Sequence, residues 1–201
     1  MGSERTAWQK IARRIRVPLG FVVAAVFLLF AAPSWRSLAW SLLLVLPGVW
    51  LRAYAAGYVK KNAELTVTGP YAYTRNPLYL GSMSIAFGFA VAAGGFTTTR
   101  WWLVVLLVGM FLAIYVPTIL SEETFLRATF AEFAAYAKRV PRLLPRLTPA
   151  RFGAVAGRFS GERYLHHREY NAGMGAAAIY AVLILRMYGD SIARMLLFRG
   201  K

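Results

Sequence analysis

The chain has 201 residues, is 58% hydrophobic and has a mean hydropathy of +0.48, which exceeds a soluble domain and matches a small polytopic membrane protein built as one bundle. Its formal charge of +16 comes from 24 Lys and Arg against 8 Asp and Glu; these charges lie between apolar runs rather than on one soluble face, so anionic lipid explains them better than nucleic acid. The sequence has no cysteine, which excludes disulfides, thiolate nucleophiles and cysteine metal sites.

In chain order, residues 1–16 carry Arg5, Lys10, Arg13, Arg14 and Arg16 and read as a basic amphipathic segment suited to a membrane surface. Apolar runs at roughly 17–32, 38–59, 78–95, 101–120 and 172–190 predict an all-α, polytopic transmembrane bundle of about five spans. The first and third are short for a hydrocarbon core that needs about 20 helical residues, so they call for bilayer thinning, flanking residues or burial in the bundle. The first run ends in AAPSW with more spans behind it, and reads as an anchor rather than a cleavable signal. The chain thus divides into a basic cytoplasmic N-terminal segment (1–16), a transmembrane core (17–147), and a basic linker with a C-terminal candidate span (148–201). With the N-terminus in the cytoplasm, seventeen of the 24 basic residues fall on that side. A multi-pass protein of a bacterial inner membrane, with both polar motif regions facing the cytosol, is the expectation.

The first motif region is LTVTGPYAYTRNPLYLG, residues 65–81. It places Tyr71, Tyr73, Arg75, Asn76 and Tyr79 where bilayer meets cytosol, a denser set of polar and aromatic groups than a connector needs. Pro77 keeps Asn76 out of a helix and starts a new one at Leu78, so a guanidinium meets a helix N-terminus, a pairing that binds carboxylate or phosphate. A snorkelling Arg with interfacial tyrosines is the plainer alternative. Arg52 sits two turns inside the second apolar run, where a charge must be paired, line a cavity or snorkel; Tyr54 and Tyr58, at i and i+4, share a face.

The second region is SEETFLRATFAEFAAYAKRVPRLLP, residues 121–145. Ser121 is placed to cap a helix whose first turn holds Glu122 and Glu123. Phe125, Phe130, Phe133 and Ala137 form an apolar stripe, and the whole predicts an amphipathic cytoplasmic helix on the membrane, ended by Pro141 and Pro145. Adjacent carboxylates diverge on a helix and make a poor proton-sharing dyad, but either could accept from ribose hydroxyls or an ammonium. His166 and His167 do not read as a metal site, since neighbours point apart and no further ligand completes a set. Gly173, Ala177 and Ala181 recur every four residues, a spacing that favours close helix packing or a homodimer through the C-terminal span.

GPYAYTRNPLYLG resembles the GPY…RHPxYxG motif of the isoprenylcysteine carboxyl methyltransferase and phospholipid methyltransferase superfamily, and EETFLRATFAEFAAYAKRVPRLLP resembles its EExxL…FG…Y…Y…VPRxxP tail. The likeness covers about residues 45–147. Asn76 stands where His is usual, and Ala131 replaces the Gly after Phe130. The resemblance implies S-adenosylmethionine as cofactor and a lipid or isoprenoid acceptor. Its cofactor site would comprise Tyr71, Tyr73, Arg75, Asn76, Pro77, Leu78, Tyr79, Glu122, Glu123 and Tyr136, with Arg52, Arg75 and Glu123 carrying catalysis and no metal. Methyl transfer would then be an in-line attack by a lipid nucleophile, helped by positioning and desolvation. Two rival readings are an NADPH-dependent membrane sterol or isoprenoid reductase, which carries a similar RHPNYxG-like motif, and a non-enzymatic transport or structural protein.

Overall fold

The structure is a computed structural model that describes residues 22, 25–60, 63–94, 101–153 and 157–199. All regular elements among them are helical: α1 (Trp35–Tyr58), a 3-10 turn (Gly69–Ala72), α2 (Pro77–Ala92), α3 (Trp101–Thr129), α4 (Phe133–Arg139), α5 (Gly161–His166) and α6 (Tyr170–Arg199). Residues 25–30 are also helical.

Three helical segments are long and apolar enough to cross a membrane: α1, α3 and Tyr170–Gly189 of α6. They correspond to the second, fourth and fifth apolar runs. The third run forms α2, whose 16 residues reach only about 24 Å, short of a hydrocarbon core of about 30 Å. Residues 17–21, 23 and 24 of the first run, and the basic segment 1–16, lie outside the described residues.

Helix α1 begins where Ser34 and Ser37 cap one another reciprocally, each hydroxyl accepting the other's backbone N–H at 3.1 and 2.9 Å. It then packs against α2 with almost no side chain between them. A Cβ on Gly81 would lie 2.7 Å from the Gly48 carbonyl oxygen, and one on Gly48 equally close to the Gly81 carbonyl, so glycine at both positions is what lets the two backbones touch. Ser84 donates to the Leu44 carbonyl at 2.7 Å and Ser37 to that of Ala92 at 2.9 Å, tying the pair along its length. The main core forms around this pair from Leu38, Val45, Phe89, Leu103 and Leu183, and Ser41 of α1 bonds Tyr180 of α6 at 2.5 Å within it. Of the small-residue stripe on α6, Gly173 rests on Val49 of α1, whereas Ala177 and Ala181 are exposed.

Two expectations about residues 121–145 are corrected. Ser121 caps nothing, because α3 runs unbroken from Trp101 to Thr129 and carries Ser121, Glu122 and Glu123 in its interior. Pro117, one turn earlier, lies inside the helix without ending it, and the hydroxyls of Thr118 and Thr124 fold back onto carbonyls four residues earlier instead of competing for the chain. Nor does the stripe that follows lie free for lipid over its whole length. Phe133, Tyr136 and Val140 are buried with Ala150 against Leu65, Val67 and Phe152, a second small core beneath the motif loop; only Phe125 of the stripe is strongly exposed.

The chain order brings four helix ends together: the C-terminal ends of α1 and α3 and the N-terminal ends of α2 and α6. Both motif regions sit at this end of the bundle.

Candidate functional site

The loop from Gly69 to Asn76 takes its shape from two constraints. Gly69 has φ +60°, and a Cβ there would meet the Tyr58 ring at 2.5 Å, so only glycine turns the chain this tightly against α1. The rest is stitched to residues 141–150. Arg75 N–H donates to the Pro141 carbonyl at 3.0 Å, Arg146 N–H to Tyr73 at 3.0 Å and Ala150 N–H to Ala72 at 2.9 Å. The buried Thr74 hydroxyl adds a bond to the Leu143 carbonyl at 2.9 Å, and the Tyr136 hydroxyl donates to the Tyr71 carbonyl at 2.8 Å. Two motifs separated by a whole helix in sequence therefore form one backbone unit, as their pairing in the resemblance requires.

Glu123 occupies its centre. The side chain is buried and receives Arg142 through two guanidinium bonds at 2.9 and 3.1 Å, Arg75 at 3.5 Å and a long bond from Asn76 Nδ2 at 3.4 Å. Asn76 leaves the first turn of α2 uncapped by its own side chain and donates Nδ2 to the Arg142 carbonyl at 2.9 Å. The amide at 76 thus donates to both Arg142 and Glu123, where a neutral imidazole could donate only one hydrogen bond. Two guanidiniums on one carboxylate leave the cluster one positive charge in excess. Burial lowers the Arg75 guanidinium from its ordinary range, with Glu123 opposing, while the hydrogen bonds to Glu123 raise Arg142. Among the described residues Arg75 Nε is buried without a partner, an unused donor beside the excess charge.

Glu122 diverges from Glu123 as adjacent helical residues must. It accepts from the Tyr79 hydroxyl at 2.7 Å and is exposed. The Tyr79 ring stands edge-on to Tyr115 at 5.3 Å, and Tyr115 stacks on Phe111 at 4.3 Å. This aromatic column descends to an apolar crevice between α2 and α3 lined by Met83, Phe87, Phe111 and Leu112. Tyr71 and Tyr136 are buried, and burial raises both phenols above their ordinary range. Tyr73 is partly exposed at the rim. Pro77 is fully buried at the start of α2, with Leu78 half-buried after it.

Arg52 stands apart from the Glu123 cluster, on the α1 side of the same helix start. Its guanidinium bonds the Ser82 hydroxyl, reaches the Leu78 carbonyl at 3.4 Å and pairs with Glu169 Oε2 at 2.7 Å. It neither snorkels nor stands unpaired. Tyr54 and Tyr58 share a face as expected, hydroxyl to hydroxyl at 3.2 Å. His166 and His167 lie edge to face with ring centroids 5.5 Å apart, and among the described residues no group of three or more His, Cys, Asp or Glu comes together as a metal site would need.

Sequence reasoning missed Arg142, Ser82 and Glu169. Arg142 lay within the quoted VPRLLP stretch and could have been noticed as the cation nearest the end of the second motif. Glu169 carried no local signal, since it follows an aperiodic basic segment.

A sequence model of the family described as phospholipid methyltransferase matches residues 23–132. The cobalt-zinc-cadmium resistance protein CzcN of Cupriavidus metallidurans is 32% identical over 144 residues, covering 66% of this chain and 62% of that protein. The nickel-cobalt-cadmium resistance protein NccN of Alcaligenes xylosoxydans xylosoxydans is 34% identical over 100 residues, covering 50% and 44%. The chain spans less than two thirds of the length of these curated relatives. No solved structure matches it.

Proposed function

The chain belongs to the phospholipid methyltransferase family, and on that premise we propose that it uses S-adenosylmethionine to methylate a lipophilic acceptor, an isoprenoid carboxylate or a phospholipid-like molecule, at the cytoplasmic face of a membrane. The observation that carries this reading is the joining of the 69–76 loop to Glu123 and residues 141–150 in one polar unit at the end of an apolar bundle.

The residues present fit the cofactor. The excess positive charge around Glu123 and the unpartnered Arg75 Nε suit its carboxylate. The exposed carboxylate of Glu122 suits an ammonium or ribose hydroxyl, and the rings of Tyr73 and Tyr79 offer faces for the sulfonium and the base. When bound, S-adenosylmethionine supplies an electrophilic methyl group. The chain's part is to hold, orient and dry the reacting groups. Glu123, engaged by two arginines, serves to fix Arg75 and Asn76. Glu122 is then the accessible base for an amine acceptor, whereas a carboxylate acceptor needs no base. The crevice between α2 and α3, with the aromatic column above it, suits an acyl or isoprenoid tail entering sideways from the bilayer.

We further read the chain as five spans in a bacterial inner membrane, with α2 and the first apolar run completing the three long helices and the polar end in the cytosol. The amphipathic character of residues 121–140 serves there to cover the loop and to leave Phe125 at the lipid boundary. The exposed Ala177 and Ala181 suit a homodimer contact through α6.

Calorimetric titration of the detergent-purified protein with S-adenosylmethionine and S-adenosylhomocysteine, with NADPH as control, tests the cofactor assignment. Saturable binding that weakens at least tenfold in Arg75→Ala is the expected result. Binding of NADPH without S-adenosylmethionine would transfer the protein to the reductases.

A further inference from the structure

We propose that Glu169, which lies beyond the family match and beyond the second motif, is a working residue of the methyl-transfer site: Oε2 locks Arg52 onto the first turn of α2, and Oε1 faces the bound ligand. The inference rests on the methyltransferase reading above.

The first argument is how Glu169 comes to be there. Residues 157–169 fold back on the C-terminal end of α1, where the last carbonyls of a helix lack intrahelical partners. Ser160 N–H donates to the Gly57 carbonyl at 3.0 Å and Arg163 to that of Tyr58 at 2.9 Å, with His167 Nε2 3.4 Å from the carbonyl of Val59. The Phe159 ring lies flat over Tyr54 with centroids 6.1 Å apart, on the side of Gly57 where a Cβ would meet the ring at 2.2 Å. This is a clasp specific in both shape and hydrogen bonding, not a trailing linker. It ends at Arg168, whose φ of +52° is left-handed, a conformation that a non-glycine residue seldom adopts. Held by Arg168 N–H to the Leu165 carbonyl and Asn171 N–H to its own carbonyl, at 3.0 and 3.1 Å, that residue turns the chain so that the next one, Glu169, points inward.

The second argument is what Glu169 meets. Its side chain is 12% exposed and its Oε2 pairs with Arg52, the charge that lies inside α1 and would otherwise be buried alone. Arg52 in turn bonds Ser82 and the Leu78 carbonyl, so the pair braces the helix turn that carries Asn76, Pro77 and Tyr79. Oε1 makes no hydrogen bond among the described residues. Through Arg52 the carboxylate is held against the first turn of α2, which carries Tyr79, and the Tyr79 hydroxyl donates to Glu122. Glu122 from α3 and Glu169 from the start of α6 are thus both tied to this turn, and a ligand held against Tyr79 would meet both. A ligand group that is cationic or carries hydroxyls is what two such carboxylates recognise.

The test measures the S-adenosylmethionine dissociation constant calorimetrically on the full chain, alongside thermal unfolding of each variant. Glu169→Gln is expected to weaken binding at least tenfold and Glu169→Asp to stay within about threefold of the parent. The exchange Arg52→Glu with Glu169→Arg is expected to unfold nearer the parent than either reversal alone, since the ion pair is remade, yet to bind as weakly as Glu169→Gln because no carboxylate then faces the ligand from residue 169. Tyr180→Phe, which loosens the bundle at Ser41, should lower the unfolding temperature without moving the dissociation constant. Parent-like binding by Glu169→Gln, or by the exchanged pair, overturns the proposal while leaving the methyltransferase reading intact. Absence of binding by the parent chain overturns that reading and this proposal together.

Discussion

Replacing Glu123 with Gln keeps the shape of the side chain and removes the one negative charge between Arg75 and Arg142. The cost follows from how differently those two arginines are placed. The Arg142 side chain is 51% exposed and can turn its guanidinium to water, so its two bonds to Glu123 weigh little more than a surface pair, about 1 kcal/mol. Arg75 is 11% exposed and its Nε already lacks a partner, so without Glu123 it becomes an uncompensated buried cation, and breaking such a pair costs about 3–5 kcal/mol. The 3.5 Å separation and the amide oxygen that Gln retains place the expected loss at the lower end, about 3 kcal/mol, against about 1 kcal/mol for Arg142→Ala. Equilibrium unfolding of the detergent-solubilised protein measures both, and a cycle with Arg75→Met should show a coupling of at least 1 kcal/mol between residues 75 and 123. Equal losses for the Glu123 and Arg142 variants, or no coupling in the cycle, would refute the argument that the buried arginine sets the cost.

Gly81→Ala should destabilise by about 1–3 kcal/mol, because the new methyl meets the Gly48 carbonyl, which cannot rotate away; Gly109→Ala, with nothing within 4 Å, should not destabilise in the same unfolding assay. Burial raises the phenols of Tyr71 and Tyr136 above the ordinary value of about 10, so the folded chain holds those protons more tightly than the unfolded one. The stability this provides is present in full below about pH 10 and is lost as pH climbs through the folded values. Tyr136→Phe should cost about 1 kcal/mol at neutral pH for the lost bond to the Tyr71 carbonyl and should flatten the alkaline limb by one proton in a stability–pH profile.

Spans and motifs were legible where the signal is local. Length and apolarity identify α1, α3 and α6, and the pairing of Tyr54 with Tyr58 follows from helical spacing alone. The density of polar groups at residues 71–79 marked the loop that the structure places at the centre of the polar end. What could not be read was partnership. Arg52 demanded a counterion, but Glu169 lies 117 residues away, and no periodicity links positions joined only by a folded-back clasp. The misplaced cap at Ser121 has a different origin. A serine before two glutamates is a good local start, and it was overridden because the preceding apolar helix runs on through Pro117 to Thr129. Glu122 and Glu123 were read as alternatives for one task, and only burial separated a structural carboxylate from an accessible one.

The stitching of Ala72, Tyr73 and Arg75 to residues 141–150 also bears on when the site comes into being. A chain emerging from the ribosome would have α1, the loop and α2 in place long before Pro141, Arg146 and Ala150 existed to receive the loop's backbone groups, and longer still before Ser160 and Arg163 could close the end of α1. Until then those carbonyls and amides must be satisfied by water or by other proteins. Closing such long loops is slow relative to helix formation, which makes the polar end the last part of the molecule to mature. A nascent or truncated chain would form its helices without this polar unit, so that the unit's assembly marks completed synthesis of the residues up to 163.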